Sequence, residues 1–538
     1  MFTPDEALKF LTRTGPQIPV GDDPDAAARI ARRCGYLPLA LGLVAGHMRA
    51  KPDWTLTDHA DWLDERHHDR RLDTGVELAL DLSYQHLPGD RRRLLRLLAL
   101  HPGQDFDAYA ATALADTDLD TTQTHLDHLC GDHLLQQGSP GRYTFHDLVR
   151  AHATTRAHDE DRPPDRRAAL SRLFDHYLST TATAMNTLHP AEAHLRPQLP
   201  PSGTPAPDLT DPATALTWLE VERPTLVAVV AHTATHGWPT HTTRLSRALF
   251  RYFTGGHNTD ALTVHGHARD AARHSGDPTG QAHALTDLGT THWGLGRYEP
   301  AAEHFQQALD LFRRVGDPAG EARALGNLGV AEERLGRYRP AADHYAQVLT
   351  LCRQTGDGDV EAHALNGLGE VEVRSGRYGQ AGDHFQQALT LYRQSGNHTG
   401  EASTLDSLGT LHIHLGQPAQ ATGHYQQALT IARETSNRGR EACALNGLGE
   451  AADAAGRPTD ALTHHTAAHT IAADTGDRDQ QARAHTGLGH AHHALGTPTQ
   501  ARHHYQHALN LYTDLGVPEA DQIRAHLAAL DNTNPTQR

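Results

Sequence analysis

The apolar positions in the second half of the chain mark pairs of short amphipathic helices. Residues 321–335 carry apolar side chains at the spacing of one helical face, and a second stripe follows after a glycine and a short polar stretch. The pattern therefore predicts two antiparallel helices joined by a tight turn. The apolar positions are Ala324, Leu325, Leu328 and Ala331 in the first helix and Ala341, Tyr345, Val348 and Leu349 in the second.

Glycine and proline predict where these helices end and begin. Gly336 follows the first stripe, where a left-handed residue ends a helix. Pro340 falls in the first turn of the second helix, where its missing N–H breaks no hydrogen bond. Asp317-Pro318 supplies an N-cap followed by a proline at the first helical position, so a new helix pair is expected to begin there.

The same helix pair recurs six times with an unbroken period of forty residues. A degenerate earlier copy spans residues 249–276. A fixed period of this length indicates stacked units, because one helix pair cannot bury its apolar face alone. Gly329 and Ala341 lack bulk, which is expected to let two helices approach while Tyr345 fills the groove between them. Leu-Gly recurs at 288/289, 328/329, 368/369, 408/409, 448/449 and 488/489, followed by glycine at Gly296, Gly336, Gly376, Gly416, Gly456 and Gly496. Alanine recurs at Ala301, Ala341, Ala381, Ala421, Ala461 and Ala501. An aromatic residue recurs at Phe305, Tyr345, Phe385, Tyr425 and Tyr505, and the exception is His465.

This pattern resembles the tetratricopeptide repeat in a lengthened, forty-residue form. The resemblance implies a right-handed α-α superhelix of about seven repeats over residues 241–530, with a disordered tail at 531–538. It also implies a concave groove that binds a protein or peptide partner. An asparagine there can hold a peptide backbone, because its amide both donates and accepts hydrogen bonds. The alternative is that the groove positions are merely polar. They are Trp293, Asn366, Glu370, Asp406, Asn446, Glu450 and His490.

Residues 1–75 are expected to be helical. The run from Cys34 to Gly42 resembles the Gly-Leu-Pro-Leu-Ala-Leu motif of NB-ARC ATPases, with Tyr36 as a departure. The resemblance implies that residues 1–75 are the C-terminal helical part of an NB-ARC domain and that Pro38 packs against a nucleotide base. The alternative is an ordinary helix start with proline at its first position.

Residues 76–160 show helices followed by two short β segments around the loop 138–141, an order that predicts a winged-helix domain. Phe145-His146-Asp147 resembles the Met-His-Asp motif of the same ATPases. The resemblance implies that His146 contacts the β-phosphate of bound ADP. The alternative is a surface or capping histidine.

No P-loop accompanies these motifs. A P-loop needs a glycine-rich turn before a lysine, and the only lysines, Lys9 and Lys51, have none. We therefore expect no enzymatic activity and no cofactor. ADP or ATP binding is expected only if the P-loop half of the ATPase is also present. The alternative is a fragment of an ATP/ADP-switched STAND transcriptional regulator, whether through an internal start or as a natural remnant.

Residues 161–240 are expected to form a helical connector with a Pro-rich loop. Trp218-Leu219, Glu222-Arg223-Pro224 and Leu226-Val227 resemble the connector of AfsR-type regulators of antibiotic biosynthesis. Those proteins join a DNA-binding activator domain, an NB-ARC ATPase, a winged helix and tetratricopeptide repeats. The resemblance implies a bacterial regulatory scaffold that interacts with another protein.

Composition narrows the remaining choices. The formal net charge of -17 argues against a broad nucleic-acid surface, and the four cysteines show no pairing or metal spacing, which suits a cytoplasmic protein with no membrane partner. Arg91, Arg92, Arg93 and Arg96 form either a local DNA contact or a solvated helix face. The alternative function, a transcription factor that acts through its own winged helix, therefore stays open. A gel shift without salt-dependent retardation would exclude it.

Histidine is abundant, with 43 residues. One histidine recurs in every repeat, but zinc needs convergent ligands, and equivalent positions lie about one helix pair apart. We therefore expect a ladder of solvated or interhelical histidines and no metal. The ladder is His304, His344, His384, His424, His464 and His504.

Overall fold

The computed structural model describes residues 2–14, 18–19, 21–51, 53–70, 75–190, 193, 196–197 and 203–532. Within these residues the chain contains twenty-six helices and three short strands, so the expected mainly helical class is confirmed. The chain divides into two compact units, Met1–Leu249 and Phe250–Arg538. None of the described helices combines the length and apolar character that a membrane span requires.

The first unit holds helices α1 to α11, most of α12, and a small antiparallel sheet. The helical expectation for residues 1–75 agrees with α1 to α4. Parts of the Pro-rich loop, residues 191–192, 194–195 and 198–202, lie outside the described residues. The helices are α1 Pro4–Thr14, α2 Ala26–Arg33, α3 Pro38–Ala50, α4 Leu56–Arg70, α5 Gly75–His86, α6 Gly89–Ala99, α7 Ala108–Ala115, α8 Leu119–Gly131, α9 Asp147–Glu160, α10 Pro163–Leu188, α11 Pro212–Thr235 and α12 Pro239–Phe253.

The sheet contains the hairpin expected around loop 138–141. Strands β2 (Gln136–Ser139) and β3 (Arg142–Thr144) pair antiparallel, and β1 (Asp105–Phe106) pairs with the other side of β3. Strand β1 has two residues, which is too short to show the alternation that predicts a strand. The assignments of residues 1–75 to an NB-ARC domain and of residues 76–160 to a winged helix stay predictions.

A buried ion pair holds the hairpin to the connector helix. Arg142 of β3 lies between Asp105 of β1, with Nη2 to Oδ1 at 2.7 Å, and Glu222 of α11, whose carboxylate its Nη1 contacts directly. The Glu222 side chain is only 1% exposed. Burial raises the pKa of Glu222 to about 7, although the charge of Arg142 opposes the change. The connector residue is therefore part of the core of the first unit.

The second unit is a continuous series of antiparallel helix pairs, which confirms the expected α-α superhelix. Consecutive helices pack on each other along the whole series. Helix α26 includes residues 531 and 532, which were expected in a disordered tail, while 533–538 lie outside the described residues. The helices are α13 Asn258–Ser275, α14 Pro278–Gly294, α15 Tyr298–Val315, α16 Pro318–Arg334, α17 Tyr338–Thr355, α18 Gly358–Arg374, α19 Tyr378–Ser395, α20 His398–His414, α21 Pro418–Glu434, α22 Arg438–Ala454, α23 Pro458–Thr475, α24 Arg478–Ala494, α25 Pro498–Leu515 and α26 Glu519–Asn532.

The predicted helix ends are present. Asp317 caps α16 by accepting a hydrogen bond from the Gly320 N–H at 2.9 Å. Gly336 ends the same helix with φ at 75°, the left-handed region that favours glycine. Pro340 lies in the first turn of α17, as the sequence predicts. Local turn chemistry therefore sets the period of the series.

The buried Tyr345 ring is held between two glycines. A Cβ at Gly329 would lie 2.6 Å from Cε1 of Tyr345, which confirms the expected close approach. The next repeat also needs a glycine here, because a Cβ at Gly367 would lie 2.7 Å from Cε1 of the same ring. The ring therefore joins its own repeat to the following one, and both glycines are needed to accommodate it.

Candidate functional site

The first helices of the repeats form one continuous layer. Helices α14, α16, α18, α20, α22 and α24 contact one another in succession, in addition to packing against their second helices. All the side chains predicted to bind a partner belong to this layer, and a groove lined by it stays a prediction of the tetratricopeptide resemblance. We call the row of charged and amide side chains at residues 333, 366, 370, 406, 450 and 483 the polar row.

One part of the polar row is a compact ion cluster. Arg483 of α24 binds Glu450 of α22 with two hydrogen bonds, Nε to Oε1 at 2.6 Å and Nη2 to Oε2 at 2.8 Å. Its Nη1 lies 3.7 Å from Oδ2 of Asp406 in α20. Burial alone would raise the pKa of Glu450, but the charge and hydrogen bonds of Arg483 outweigh it and lower that pKa. Three successive repeats are thereby linked through one arginine, which sequence analysis did not single out.

Another part of the polar row centres on Glu370. Asn366 donates from Nδ2 to Oε1 of Glu370 at 2.9 Å, and the Ser407 hydroxyl donates to the same oxygen at 2.7 Å. Asn366 and Glu370 lie one turn apart on α18, so their contact follows directly from helical spacing. The structure therefore brings these two predicted groove residues together, and it adds Ser407 from the next repeat.

Asn446 was expected in the groove, and the structure corrects this. Its side chain is 0% exposed. Its Nδ2 donates to both the backbone oxygen and Oε1 of Gln480 at 3.1 Å, and its Oδ1 lies 3.0 Å from Nδ1 of His465. Because its amide is used and shielded from solvent, Asn446 serves the packing between repeats and is not available to a ligand.

The remaining predicted groove residues are His490 of α24 and Trp293 of α14. His490 is 2.8 Å from the Tyr505 hydroxyl through Nδ1, and burial together with His526 lowers its pKa. Trp293 is 41% exposed, with its ring 6.4 Å from that of Tyr298. An exposed tryptophan on the first-helix layer is the kind of side chain that anchors partners in protein interfaces.

The two residues predicted to contact nucleotide lie at the starts of separate helices in the first unit. Pro38 is the first residue of α3 and is exposed. His146 is exposed at the N-cap of α9, where its Nδ1 accepts a hydrogen bond from the Leu148 N–H at 3.3 Å. The capping geometry matches the alternative considered for His146, and a role in nucleotide binding stays a prediction for both residues.

Arg96 is not part of a solvated helix face, contrary to expectation. It binds Asp161 with two hydrogen bonds of 2.8 and 2.7 Å and contacts Glu160 at 2.8 Å. The neighbouring Arg93 donates to the carbonyl oxygen of Ala115 at 3.2 Å. Arg96 is therefore neutralised inside the first unit and offers no free charge to a DNA phosphate.

The last helices of the series return to the first repeats. A Cβ at Gly296 would clash with Leu515, and a Cβ at Gly336 would lie 3.3 Å from the ring of Pro518. Arg334 forms ion pairs with Asp479 and, at 3.7 Å, with Glu519, which also lies 3.3 Å from Arg374. Tyr298, Leu515 and Ile523 share one buried apolar cluster. The repeat series therefore closes on itself through both apolar contacts and ion pairs.

The histidine ladder lies between the two helices of each repeat. His304, His424 and His504 stack on first-helix histidines of their own repeats with ring centroids 5.1 to 5.4 Å apart. His384 instead lies 3.0 Å from Glu372. Burial lowers the pKa of His304 and His504 to about 4, and it lowers that of His344, His424 and His464 in the same direction. The described residues contain no group of three or more ligands arranged to hold a metal ion.

We expect the repeats to lose thermal stability in mild acid because of this ladder. A histidine whose folded pKa lies below its unfolded value of about 6.5 stabilises the fold above that pH, and this contribution is lost as pH falls towards about 4. Thermal melts between about pH 8 and 5.5 should show Tm falling at the acid end. The triple variant His304→Gln, His424→Gln, His504→Gln should show a flatter profile, and an unchanged profile would contradict the assignment.

Comparison with known proteins identifies the repeats. Residues 242–314, 301–354, 360–434 and 440–514 match the tetratricopeptide repeat family. The chain is 35% identical over 319 residues to the regulatory protein AfsR of Streptomyces griseus and 33% identical over 326 residues to that of Streptomyces coelicolor. Each match covers 58% of this chain and 32% of the relative, so the chain spans about a third of the length of these proteins.

Two solved structures illustrate similar helical arrangements. A signal transduction ATPase with numerous domains and a tetratricopeptide repeat sensor, from Pyrococcus horikoshii, aligns with 99% of this chain and 74% of its own at 15% identity and a TM-score of 0.43. The Rap conjugation gene regulator of plasmid pLS20, in complex with the Phr* peptide, aligns with 63% of this chain and 96% of its own at 12% identity and a TM-score of 0.46.

Proposed function

We propose that this chain is a regulatory protein that binds a protein or peptide partner on the first-helix layer of its repeats. The observation that carries the proposal is the polar row, because charged side chains lie along a layer whose helix packing is otherwise supplied by alanine, leucine and glycine. Arg483, Glu450 and Asp406 keep between about a fifth and a third of their side chains exposed, so a partner that covers the layer reaches them. The similarity to AfsR supports a regulatory role.

A nucleotide-controlled switch is a second candidate. The exposed positions of Pro38 and His146 at helix N-termini support it, since such sites suit a phosphate. In this proposal residues 1–75 and 76–160 are parts of an NB-ARC domain and a winged helix, and ADP sets the state of a longer regulator in bacterial transcriptional control. Calorimetric titration of the chain with ADP tests the candidate, and absence of heat with the full chain would count against it.

Trp293 provides the most direct test of the partner-binding proposal. Random dodecapeptides displayed on phage are selected on the full chain, and an enriched peptide is titrated calorimetrically. Trp293→Ala should weaken its binding about tenfold or more, because an exposed aromatic anchor contributes at least about 1.4 kcal/mol when a peptide covers it.

The matched control is Gln386→Ala, an exposed residue on the second helix α19. This variant should bind the peptide as the unchanged chain does. If Trp293→Ala keeps full affinity, or if Gln386→Ala loses as much, the partner does not lie on the first-helix layer.

A further inference from the structure

One buried tyrosine hydroxyl lacks the partner that its counterparts have. In two other repeats the hydroxyl of the buried tyrosine bonds fifteen residues back, Tyr425 to Thr410 at 3.1 Å and Tyr505 to His490 Nδ1 at 2.8 Å. The equivalent position for Tyr345 is Val330, which offers no polar atom. Tyr345 is 0% exposed, and within the described residues its hydroxyl has no hydrogen bond of good geometry, the adjacent Glu333 carboxyl being the group placed to accept one. A hydroxyl buried in this way is rare unless something else completes its bonding.

The Tyr345 ring ends beside the Glu370 part of the polar row. Its Cε1 would touch a Cβ placed at Gly367, the residue that follows Asn366. Burial raises the pKa of Tyr345, and the charges of Glu333 and Glu370, together with hydrogen bonding to Glu333, raise it further. The Oδ1 atom of the buried Asn366 is also without a hydrogen-bond partner among the described residues.

Two carboxylates meet at this place without a cation. Burial, the charge of the adjacent Glu370 and hydrogen bonding between the two carboxyl groups raise the pKa of Glu333 well above its ordinary value. The nearby Arg334 and Arg374 are engaged with Asp479 and Glu519. Within the described residues, neither Glu333 nor Glu370 forms an ion pair with an arginine, lysine or histidine.

The ion cluster of the polar row contains an arginine bound to its carboxylate, and the Glu370 part does not. There Glu450 holds a guanidinium with two parallel hydrogen bonds from Arg483. Around Glu370 the described residues supply two carboxylates, one amide oxygen and the hydroxyls of Tyr345 and Ser407, but no arginine or lysine in an ion pair with either carboxylate. A guanidinium carries one positive charge and five N–H donors, which would satisfy these acceptors.

We propose that Glu333, Tyr345, Asn366 and Glu370 form a pocket that binds a cationic group, a guanidinium or ammonium, carried by the polypeptide partner. The proposal rests on the proposed function and specifies the chemistry of that partner. An arginine side chain fits best, because its planar fork matches a carboxylate pair better than an ammonium does.

The test compares the peptides enriched on the chain with those enriched on the double variant Glu333→Gln, Glu370→Gln. Glutamine resembles a protonated carboxyl group, so the double variant is expected to fold, and its Tm is measured first. We expect peptides selected on the unchanged chain to be rich in arginine or lysine and those selected on the variant not to be. Replacing the arginine of an enriched peptide by citrulline, which has the same shape without charge, should weaken binding about tenfold or more to the unchanged chain and less than about threefold to the double variant.

The control is Glu332→Gln, the neighbouring acid on α16, which lies 3.3 Å from Arg337 and outside the pocket. It should retain the preference for arginine. Free L-argininamide should displace the peptide, and L-citrullinamide should not. If free argininamide binds as tightly as the peptide does, the pocket prefers a free cation over a peptide side chain, and the proposal is overturned.

The two proposals fail in different ways. Enriched peptides that bind the first-helix layer without any basic residue, or that lose nothing with citrulline, overturn the pocket and leave the proposed function standing. If no peptide is enriched, the proposed function fails, and L-argininamide binding that differs between the unchanged chain and the double variant then decides the pocket alone.

Discussion

Tyr425→Ala is expected to lower the free energy of unfolding of the repeat unit by about 3–5 kcal/mol, since it removes a large ring from a closely packed site. The Tyr425 side chain is fully buried. It lies between Gly409 of its own repeat and Gly447 of the next, where an added Cβ would be 2.6 Å from Cζ in both cases. Gly447→Ala alone should cost about 1–3 kcal/mol, because the ring has no room to move. Urea unfolding followed by circular dichroism measures both values.

A double-variant cycle separates this contact from a general loss of stability. In a Tyr425→Ala background, Gly447→Ala should be nearly harmless, because the ring it would strike is gone. The matched control is Gly423→Ala, a helical glycine in α21 with no atom within 4 Å of an added Cβ. It should stabilise the chain by up to about 1 kcal/mol. If the losses in free energy of unfolding caused by Tyr425→Ala and Gly447→Ala are additive, the Tyr425 ring does not pack against Gly447 as described.

Arg142→Ala is expected to destabilise the first unit by about 3–5 kcal/mol, because it leaves the Glu222 carboxylate buried without its partner. Four of the five tryptophans lie in residues 1–249, so tryptophan fluorescence during urea unfolding reports on this unit. Unfolding at the same urea concentration as the unchanged chain would refute the account of the buried pair.

Arg142→Met combined with Glu222→Leu provides the control for this pair. Replacing both partners by apolar side chains of similar size removes the unpaired charge, so the double variant should recover most of the lost stability. Arg91→Ala, at a partly exposed position on α6, should change the stability by less than about 0.5 kcal/mol. A double variant as unstable as Arg142→Ala would mean that the arginine acts through something other than Glu222.

The repeat architecture could be predicted because each of its determinants is local. Gly336 ends its helix through its own backbone, and Asp317 caps the next helix three residues away. Gly329 and Tyr345 lie in one helix pair, so the spacing between them implies their contact. The buried pair of Arg142 and Glu222 could not be predicted, because eighty residues separate the partners and the motif that contains Glu222 does not indicate which residue it pairs with.

Asn366 and Asn446 show where equal positions in a repeat differ. They lie eighty residues, or two periods, apart. Asn366 contacts Glu370, whereas Asn446 is buried beside His465. The difference arises because the ring in the repeat of Asn366 is Phe385, which cannot accept or donate a hydrogen bond, whereas His465 can. The sequence does contain this signal, since His465 is the exception in the aromatic column.

Hydrogen–deuterium exchange of the full chain, with and without a saturating amount of the enriched peptide, tests most directly whether the first-helix layer is the binding surface. Ligand contact slows exchange where the backbone becomes more protected. We predict slower exchange in the first helices α16 to α24, with the second helices changed much less. Slowing confined to the second helices or to residues 1–249, or no slowing at all, would contradict the account.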